Sequence, residues 1–235
     1  MNNTILQLKI KQRLNKLASG DYDNLECWQI VEAFNKGQVN WCRRNLHGLN
    51  AKQMGDEQSK RRIDDLQPLL KETSLPLTKR ELYYETSDKL PGDYFEWKRL
   101  SGKATSDCCE GSKKMVIYLS EEGNLDQTLR DVNKKPSFEG GETFCTLQGN
   151  KIRVHTNDEF IIEDATLTYY RQPTRIEILG CVDPFTQQVS TVNVESEFKD
   201  DLVELFIDEA AKILAGDIES MNQQQIASGQ VEGNN

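Results

Sequence analysis

The sequence predicts an α+β fold, in which an N-terminal helical hairpin and a long C-terminal helix form a helical bundle, with a β-rich insertion between them. Three observations lead to this fold class. Near both ends of the chain, apolar residues recur every three to four positions, which is the period of an amphipathic helix. The middle instead holds short runs of Val, Ile, Tyr and Phe between Pro and Gly residues, a pattern typical of strands and turns. The length of 235 residues suits one large domain or two small ones.

The N-terminal region, residues 1–75, is predicted to begin with two helices. Residues 3–18 carry a one-sided apolar stripe, with lysines and an arginine opposite to it. Residues 23–46 give the strongest helical pattern of the chain, and Trp28 and Trp41 fall on its apolar side. These two segments form the predicted helical hairpin.

Further helices are predicted on both sides of the β-rich insertion. A third, more polar helix is predicted at 56–67, and Gly37 is expected to mark a bend within the second helix. Apolar residues at helical spacing predict the C-terminal helix at 196–219, where it packs with the N-terminal helices. Residues 220–235 form a polar tail rich in Gln and Asn, which we expect to be mobile when it has no partner.

The region 76–195 is predicted to be rich in β structure. Runs of β-branched and aromatic residues bounded by turn residues predict strands at 81–86, 94–100, 114–119, 151–155, 159–163, 166–171 and 175–179. Hairpin turns are expected at 147–150 and 156–158, and a short helix at 124–131. Strands and helices do not alternate along this region, so we do not expect βαβ units.

Charge is distributed unevenly in a chain whose formal net charge is −9. Residues 1–100 hold 17 basic and 14 acidic residues, whereas residues 101–235 hold 12 and 24. The acidic C-terminal stretch, residues 195–235, is expected to repel DNA phosphates and to favour solubility or a basic protein partner. No apolar run approaches the ~18 residues that a membrane helix requires, so no membrane partner is expected.

Six cysteines are present, and residues 1–16 lack the continuous apolar stretch of a secretory signal. We therefore expect free thiols, as in reducing compartments, rather than disulfides. Cys27 and Cys42 fall in a helical pattern and are expected to fill the core. No Cys-x-x-Cys spacing is present, so neither a zinc ribbon nor a thioredoxin-like site is expected.

The sequence shows no motif for catalysis. It contains neither a phosphate-binding glycine loop nor a nucleophile elbow, and His47 and His155 are its only histidines. We therefore expect no enzyme activity and assign no catalytic, cofactor-binding or metal residue. A rival hypothesis is an enzyme that uses Cys145 or Cys181 as the nucleophile and His155 as the base.

A second rival hypothesis is a cytoplasmic nucleic-acid-binding module that uses Arg43, Arg44 and Arg61. The first two lie near Trp28 and Trp41, and cations beside aromatic rings bind nucleic acids by charge and stacking. However, both tryptophans also fit the apolar side of a helix, and acidic residues balance the charge around Arg61. An ordinary helix surface therefore explains the pattern better than nucleic-acid binding does.

Four segments together resemble a known family. They are CWQIVEAFNKGQVNWCRRNLHG at 27–48, LPGDYFEWKRL at 90–100, LTYYRQP at 167–173 and EFKDDLVELFIDEAAKILAGDIE at 197–219. Their order resembles the head-to-tail connector, or neck ring and adaptor, proteins of short-tailed bacteriophages, and is most similar to ring proteins of crAss-like phages.

The resemblance implies a structural role in the virion. Proteins of this family form a closed ring, typically of twelve subunits, in the neck between capsid and tail. The ring docks on the portal protein, extends the DNA channel and binds further neck or tail ring proteins. DNA passes through the channel without sequence-specific binding, and no cofactor or reaction is implied. The subunit is made in the host cytoplasm before it joins the virion.

Overall fold

The computed structural model describes residues 1–17, 25–47, 64–106 and 109–217. They belong to two compact units. Unit 1 combines the two ends of the chain, Met1–Pro68 and Pro173–Asn235, and unit 2 is the middle segment Leu69–Gln172.

Unit 2 is built on one eight-stranded sheet. Its strands are β1 (Leu70–Leu75), β2 (Leu77–Lys79), β3 (Tyr83–Thr86), β4 (Tyr94–Ser106), β5 (Cys109–Leu119), β6 (Glu142–Gln148), β7 (Lys151–His155) and β8 (Ile161–Arg171). Their order across the sheet is β1-β8-β4-β5-β6-β7-β3-β2. Only β5 and β6 are parallel, so the chain must cross over between them. This crossover contains a 3-10 turn, Glu122–Asn124, and the short helix α3 (Leu125–Arg130).

The sheet is nearly closed into a barrel because its two edge strands are neighbours in the chain. β1 pairs with β8 at one edge and β2 pairs with β3 at the other, and only Pro76 separates β1 from β2. Proline has no backbone N–H to donate to a ladder and is tolerated where a strand changes partner. A single extended segment therefore serves both edges and leaves little unpaired strand.

Bulges in the long strand β4 supply the curvature that closure requires. The register between β4 and β8 shifts at three points along β4, and each such bulge bends and twists a strand. Gly102 of β4 pairs with Ala165 of β8, and an added Cβ on Gly102 would be 2.8 Å from the carbonyl oxygen of Asp164. The inward face encloses an apolar core made of residues from every strand: Leu75, Tyr84, Leu100, Ala104, Met115, Ile117, Cys145, Ile152, Val154, Phe160, Ile162, Ala165, Leu167 and Tyr169, with Leu77 packed against them.

Several predicted elements of this unit are confirmed. Strand β7 has the predicted bounds, and the turn at 147–150 joins β6 to β7 with positive φ at both Gly149 and Asn150. Two left-handed central residues define a type I′ turn, which matches the twist of a hairpin. The predicted short helix is α3.

Other predictions for this unit are wrong. The strands predicted at 159–163 and 166–171 are one strand, β8, and the turn at 156–158 joins β7 and β8, which are not neighbours in the sheet. Strands β1, β2 and β6 were not predicted. In β1 and β2 most side chains are polar and exposed, so no apolar alternation marks them.

Unit 1 contains the helices α1 (Asn3–Leu17), α2 (Cys27–His47) and α4 (Asp200–Asp217). A 3-10 turn, Gln67–Leu69, spans the boundary with unit 2 in the chain. The Asn2 side chain caps α1 by accepting the N–H of Thr4 at 2.8 Å. At the start of α2, the Gln29 side chain accepts the N–H of Glu26 at 3.0 Å, as in a capping box.

The core of unit 1 lies where α4 packs against α1 and α2. Four rings meet edge to face there, with centroids 5.1 to 6.4 Å apart: Phe34 and Trp41 of α2, Phe206 of α4, and Phe198 just before it. Gly37, expected to mark a bend, lies where α2 approaches α4. A Cβ on Gly37 would lie 3.3 Å from the Cβ of Glu209 and from the carbonyl oxygen of Phe206.

The predicted fold class is therefore wrong. The protein is mostly β, with the nearly closed sheet as its dominant element, and its helices are short and do not form a helical bundle. Helices α1 and α2 barely touch each other, although each packs on α4. A bundle requires continuous stripes of helix against helix, whereas here irregular chain takes part of that surface. The predicted helix at 56–67 lies outside the described residues except for 64–67, of which 64–66 are helical.

One polar contact ties the loop before β4 to two strands of the sheet. The Asp93 carboxylate accepts a hydrogen bond from the Tyr169 hydroxyl of β8 at 2.8 Å and pairs with the Lys71 ammonium of β1 at 2.7 Å. These contacts hold the pKa of Asp93 below its usual value, with the Lys71 hydrogen bond as the largest cause.

We predict that Asp93→Ala destabilises the protein by about 1–2 kcal/mol, because it leaves the Tyr169 hydroxyl without its acceptor. Lys71→Ala is the matched control and should cost less, since it removes only an exposed ion pair. Urea unfolding of both variants measures the difference. Equal losses in the two variants would show that the Tyr169 contact adds nothing.

Candidate functional site

The most unusual feature of unit 1 is the irregular segment 173–199, which we call the arm. It follows β8 and leads to α4, and much of its backbone has no strand or helix partner. Buried backbone groups without partners are costly. The side chain of Asn35 on α2 solves this at Ile176: its amide oxygen accepts the Ile176 N–H at 2.9 Å, and its amide nitrogen donates to the Ile176 carbonyl at 3.3 Å.

Two further amide side chains hold the arm. Asn3 at the start of α1 donates to the carbonyl oxygens of Glu177 and Val194, at 2.8 and 3.0 Å. Gln38 of α2 donates to the Thr174 carbonyl at 3.0 Å. All three amide residues are buried. The strand predicted at 175–179 is therefore wrong: the segment makes one isolated bridge, at Glu177, and helix side chains rather than a strand ladder bind much of the rest of its backbone.

Within the arm, residues 177–194 form an irregular loop that we call the arm hairpin. Glu177 pairs with Val194 at its base, and Val182 pairs with Val189 nearer its tip. At the tip, the Asp183 carboxylate accepts the N–H of Phe185 at 2.8 Å. This bond is the main cause that lowers the pKa of Asp183, so the carboxylate is charged at neutral pH.

A disulfide between Cys27 and Cys181 ties the arm hairpin to the first residue of α2. The expectation of free thiols and of Cys27 as a core filler is therefore wrong. The two cysteines are 154 positions apart in the chain, so no local spacing could pair them. Cys42 fits the expected core role: it is buried, and burial raises the pKa of its thiol to about 12.

The arm hairpin presents an apolar surface. Five of its large apolar side chains are exposed: Leu179, Val182, Phe185, Val189 and Val192. Phe185 at the tip is 80 % exposed and meets the ring of Trp28 edge to face, with centroids 5.9 Å apart. An open cleft of about 560 Å³ lies between the arm hairpin and α2, and Glu32, Glu177 and Asp183 are among its lining residues.

A second apolar surface lies on α1. Ile5 and Leu8 are exposed and lie one turn apart, on the side away from the buried residues Leu6, Ile10 and Leu14. We call Ile5 and Leu8 the α1 stripe. Exposed apolar residues that cluster in this way, rather than singly, mark surfaces for interaction.

Unit 2 carries a third such surface on the outward face of β5. Val116 and Tyr118 point away from the core residues Met115 and Ile117 and are exposed. The Tyr118 hydroxyl lies 3.3 Å from a carboxylate oxygen of Glu142 on β6, to which it donates. Each unit therefore offers apolar side chains outside its own core.

The cysteine enzyme hypothesis is not supported by the positions of its residues. Cys145 pairs with Val154 in the β6–β7 ladder, whereas His155 pairs with Phe144, so the two side chains point to opposite faces of the sheet. Burial raises the pKa of the Cys145 thiol far above its usual value, which disfavours the thiolate nucleophile. Cys181 is in the disulfide.

His155 instead belongs to a buried polar and aromatic layer on the outward face of the sheet. Its ring stacks on Phe144 with centroids 4.9 Å apart, and its Nε2 lies 3.2 Å from the Thr146 hydroxyl. Its backbone carbonyl accepts a hydrogen bond from the Thr143 hydroxyl. Burial is the main cause that lowers the pKa of His155, so the neutral ring is favoured.

The two arginines of the nucleic-acid hypothesis that the structure describes, Arg43 and Arg44, lie in different environments. Arg44 pairs with Glu209 of α4 at 2.8 Å, in contact with the core of unit 1. Arg43 is exposed on α2. Arg61 and the side chain of His47 lie outside the described residues.

Neither a metal centre nor a membrane-spanning segment is found in the described part of the chain. No group of three or more His, Cys, Asp or Glu side chains is placed to hold a metal ion within 1–17, 25–47, 64–106 and 109–217. Over the same residues, no helix has both the length and the apolar character needed to cross a bilayer.

Sequence reasoning missed the three amides that hold the arm, although a signal was present. Asn3 stands three and seven positions before Leu6 and Ile10, on the same stripe of α1. A polar amide on the apolar side of a helix implies a buried hydrogen-bond partner.

No model of a known protein family and no curated protein sequence matches this chain.

The disulfide leads to a direct prediction. Intact protein prepared without reductant should gain about 2 Da on reduction, since breaking one disulfide adds two hydrogen atoms. The double variant Cys27→Ser with Cys181→Ser should lose about 2–4 kcal/mol of stability, because the bond restricts the unfolded chain. Cys42→Ser with Cys145→Ser is the matched control for the mass. A mass that reduction leaves unchanged in the native protein would contradict the bond.

The buried His155 predicts a loss of stability in acid. Its folded pKa lies below the unfolded value near 6.5, so the unfolded state binds more protons between the two values. This contribution to stability is fully present above pH 6.5 and is lost as the pH falls below it. Unfolding free energies at pH 7.5 and 5.5 should therefore differ more for the native protein than for His155→Gln. An identical pH dependence in the two proteins would refute the assignment.

Proposed function

We propose that this protein is a structural subunit of a bacteriophage virion, which forms a head-to-tail connector ring in the neck. In this proposal the ring docks on the portal protein, extends the DNA channel and binds further neck or tail ring proteins. The identity of these partners comes from the sequence resemblance, and the structure supplies surfaces on which such partners can pack.

The observation that carries the proposal is the apolar surface of the arm hairpin. Five large apolar side chains are exposed on 18 residues of chain, while amide hydrogen bonds and a disulfide hold the backbone of the arm in place. Monomeric proteins rarely expose a cluster of apolar side chains on an anchored backbone. A subunit of an assembly buries such a cluster against its partner.

A ring subunit needs more than one such surface. It contacts two neighbours through different patches, since the contacts of a cyclic ring with more than two members are heterologous. It also contacts the portal and the next component of the neck. The arm hairpin, the α1 stripe and the outward face of β5 each present exposed apolar side chains from a different part of the chain, which suits this requirement.

The charge of the chain is compatible with a passage for DNA. The formal net charge is −9, so long-range electrostatics repel a polyanion rather than bind it. A protein that must let DNA pass gains from weak binding, because each Lys or Arg contact to a phosphate adds affinity.

We predict that the protein, mixed with the portal protein of the same phage, binds it as a ring of many copies. Native mass spectrometry of the mixture and of each component alone measures the copy number, for which the resemblance implies twelve. A monomer or dimer that never joins the portal would contradict the proposal.

The C-terminal tail provides a second test of assembly. Residues 220–235 lie outside the described residues. Deletion of 220–235 is expected to weaken assembly and to leave the far-ultraviolet circular dichroism of the helices unchanged, because the described helices end before the tail. Loss of helical signal on deletion would show that the tail belongs to the fold instead.

A further inference from the structure

Unit 1 carries two apolar surfaces of different shape. The arm hairpin is a loop with the Phe185 ring at its tip, beside an open cleft against α2. The α1 stripe is a straight row of two branched aliphatic side chains, Ile5 and the 63 % exposed Leu8. A projecting ring with a cleft beside it and a helical row of side chains are complementary forms, because a helix presents knobs that a groove accepts.

The charges around the two surfaces are also complementary. The arm hairpin contains Glu177 and Asp183 and no basic residue. Helix α1 contains four basic residues and no acidic one. Two of the four, Lys9 and Arg13, pair with acidic residues of α4, and Lys11 follows Leu8 by about one turn of the helix.

We propose that the arm hairpin of one copy of this chain binds the α1 stripe of a second copy. The contact is heterologous, since each copy uses its arm hairpin on one neighbour and its α1 stripe on the other. Repeated around a closed rotation, it joins the subunits of a ring. The inference rests on the proposed function for its biological setting, but its test requires only this protein.

The cleft beside the arm hairpin has room and chemistry for this partner. Its volume of about 560 Å³ accommodates several side chains of the size of Leu and Ile. The carboxylates of Glu32, Glu177 and Asp183 line it together with the guanidinium of Arg175. The lining therefore has a net negative charge, which favours a lysine one turn from Leu8. The indole of Trp28 forms part of the same lining, and an aromatic ring attracts a nearby ammonium group.

The arm hairpin is prepared for binding before the partner arrives. Asn3 fixes both sides of its base through Glu177 and Val194, the disulfide fixes Cys181, and Asp183 fixes the turn at its tip. Binding therefore orders little additional backbone. This lowers the entropic cost of association, which otherwise reduces the affinity of loop-mediated contacts.

A pair of variants tests the proposal, each of which removes one surface and leaves the other intact. Phe185→Glu places a charge on the arm hairpin, and Leu8→Glu places one on the α1 stripe. Both side chains are well exposed, so both variants should fold. Sedimentation velocity over increasing concentration should show that the native protein associates progressively, whereas each variant alone associates at least about tenfold more weakly. A tenfold loss corresponds to 1.4 kcal/mol, which one anchoring residue readily supplies.

The decisive sample is the equimolar mixture of the two variants. The intact arm hairpin of Leu8→Glu can bind the intact α1 stripe of Phe185→Glu, and no third copy can join. The mixture should therefore form a 1:1 complex and stop there. Val132→Glu, which alters an 80 % exposed side chain in unit 2, is the matched control and should associate like the native protein.

Every other outcome overturns the proposal. A native protein that stays monomeric at all concentrations has no such contact. If Leu8→Glu associates like the native protein, the α1 stripe is not the partner surface. If the mixture of variants stays monomeric while the native protein associates, the two surfaces do not bind each other. The portal experiment tests the neck role separately. A 1:1 complex of the two variants without portal binding supports this contact and refutes the neck role. Portal binding without a 1:1 complex supports the neck role and refutes this contact.

Discussion

Hydrogen bonds from helix amides to irregular backbone are the interaction on which unit 1 depends. The arm has few backbone partners of its own, and Asn3, Asn35 and Gln38 supply the missing donors and acceptors. Because these amides are buried, loss of any of them leaves polar backbone groups unsatisfied. The bonds also decide how the helices pack, since α1 and α2 both contact the arm and barely contact each other. The apolar side chains of the arm hairpin remain outside because the backbone beneath them is anchored.

Unit 2 is stabilised differently: its strands pair so that almost no strand edge is left free. The segment around Pro76 serves both edges of the sheet, and the bulges of β4 bend it far enough to meet itself. Closure separates the side chains of each strand into an inner apolar set and an outer set that includes His155 and Tyr118. The inner set stabilises the unit. The outer set contains the buried His155, which acid would protonate, and exposed apolar residues that a partner could cover.

Local features of the fold were readable because they depend on residues close together in the chain. Helices α1, α2 and α4, the short helix α3 and the strand β7 follow from apolar period and β propensity. The turn before β7 follows from Gly149 and Asn150, which adopt positive φ with little strain. The edge strands β1 and β2 could not be read, because half-exposed polar strands carry no apolar alternation. Of the candidate site, only the buried amides left a trace, as polar residues on apolar helix faces.

The sequence by itself determined where helices and several strands lie, since hydrogen bonds and side-chain period within a segment decide its local conformation. Only the tertiary structure decided that the sheet, and not a helical bundle, is the dominant element. It also decided that Cys27 meets Cys181 and that Arg44 meets Glu209. Each of these outcomes joins residues far apart in the chain, and contacts of that kind form only when the whole chain has packed.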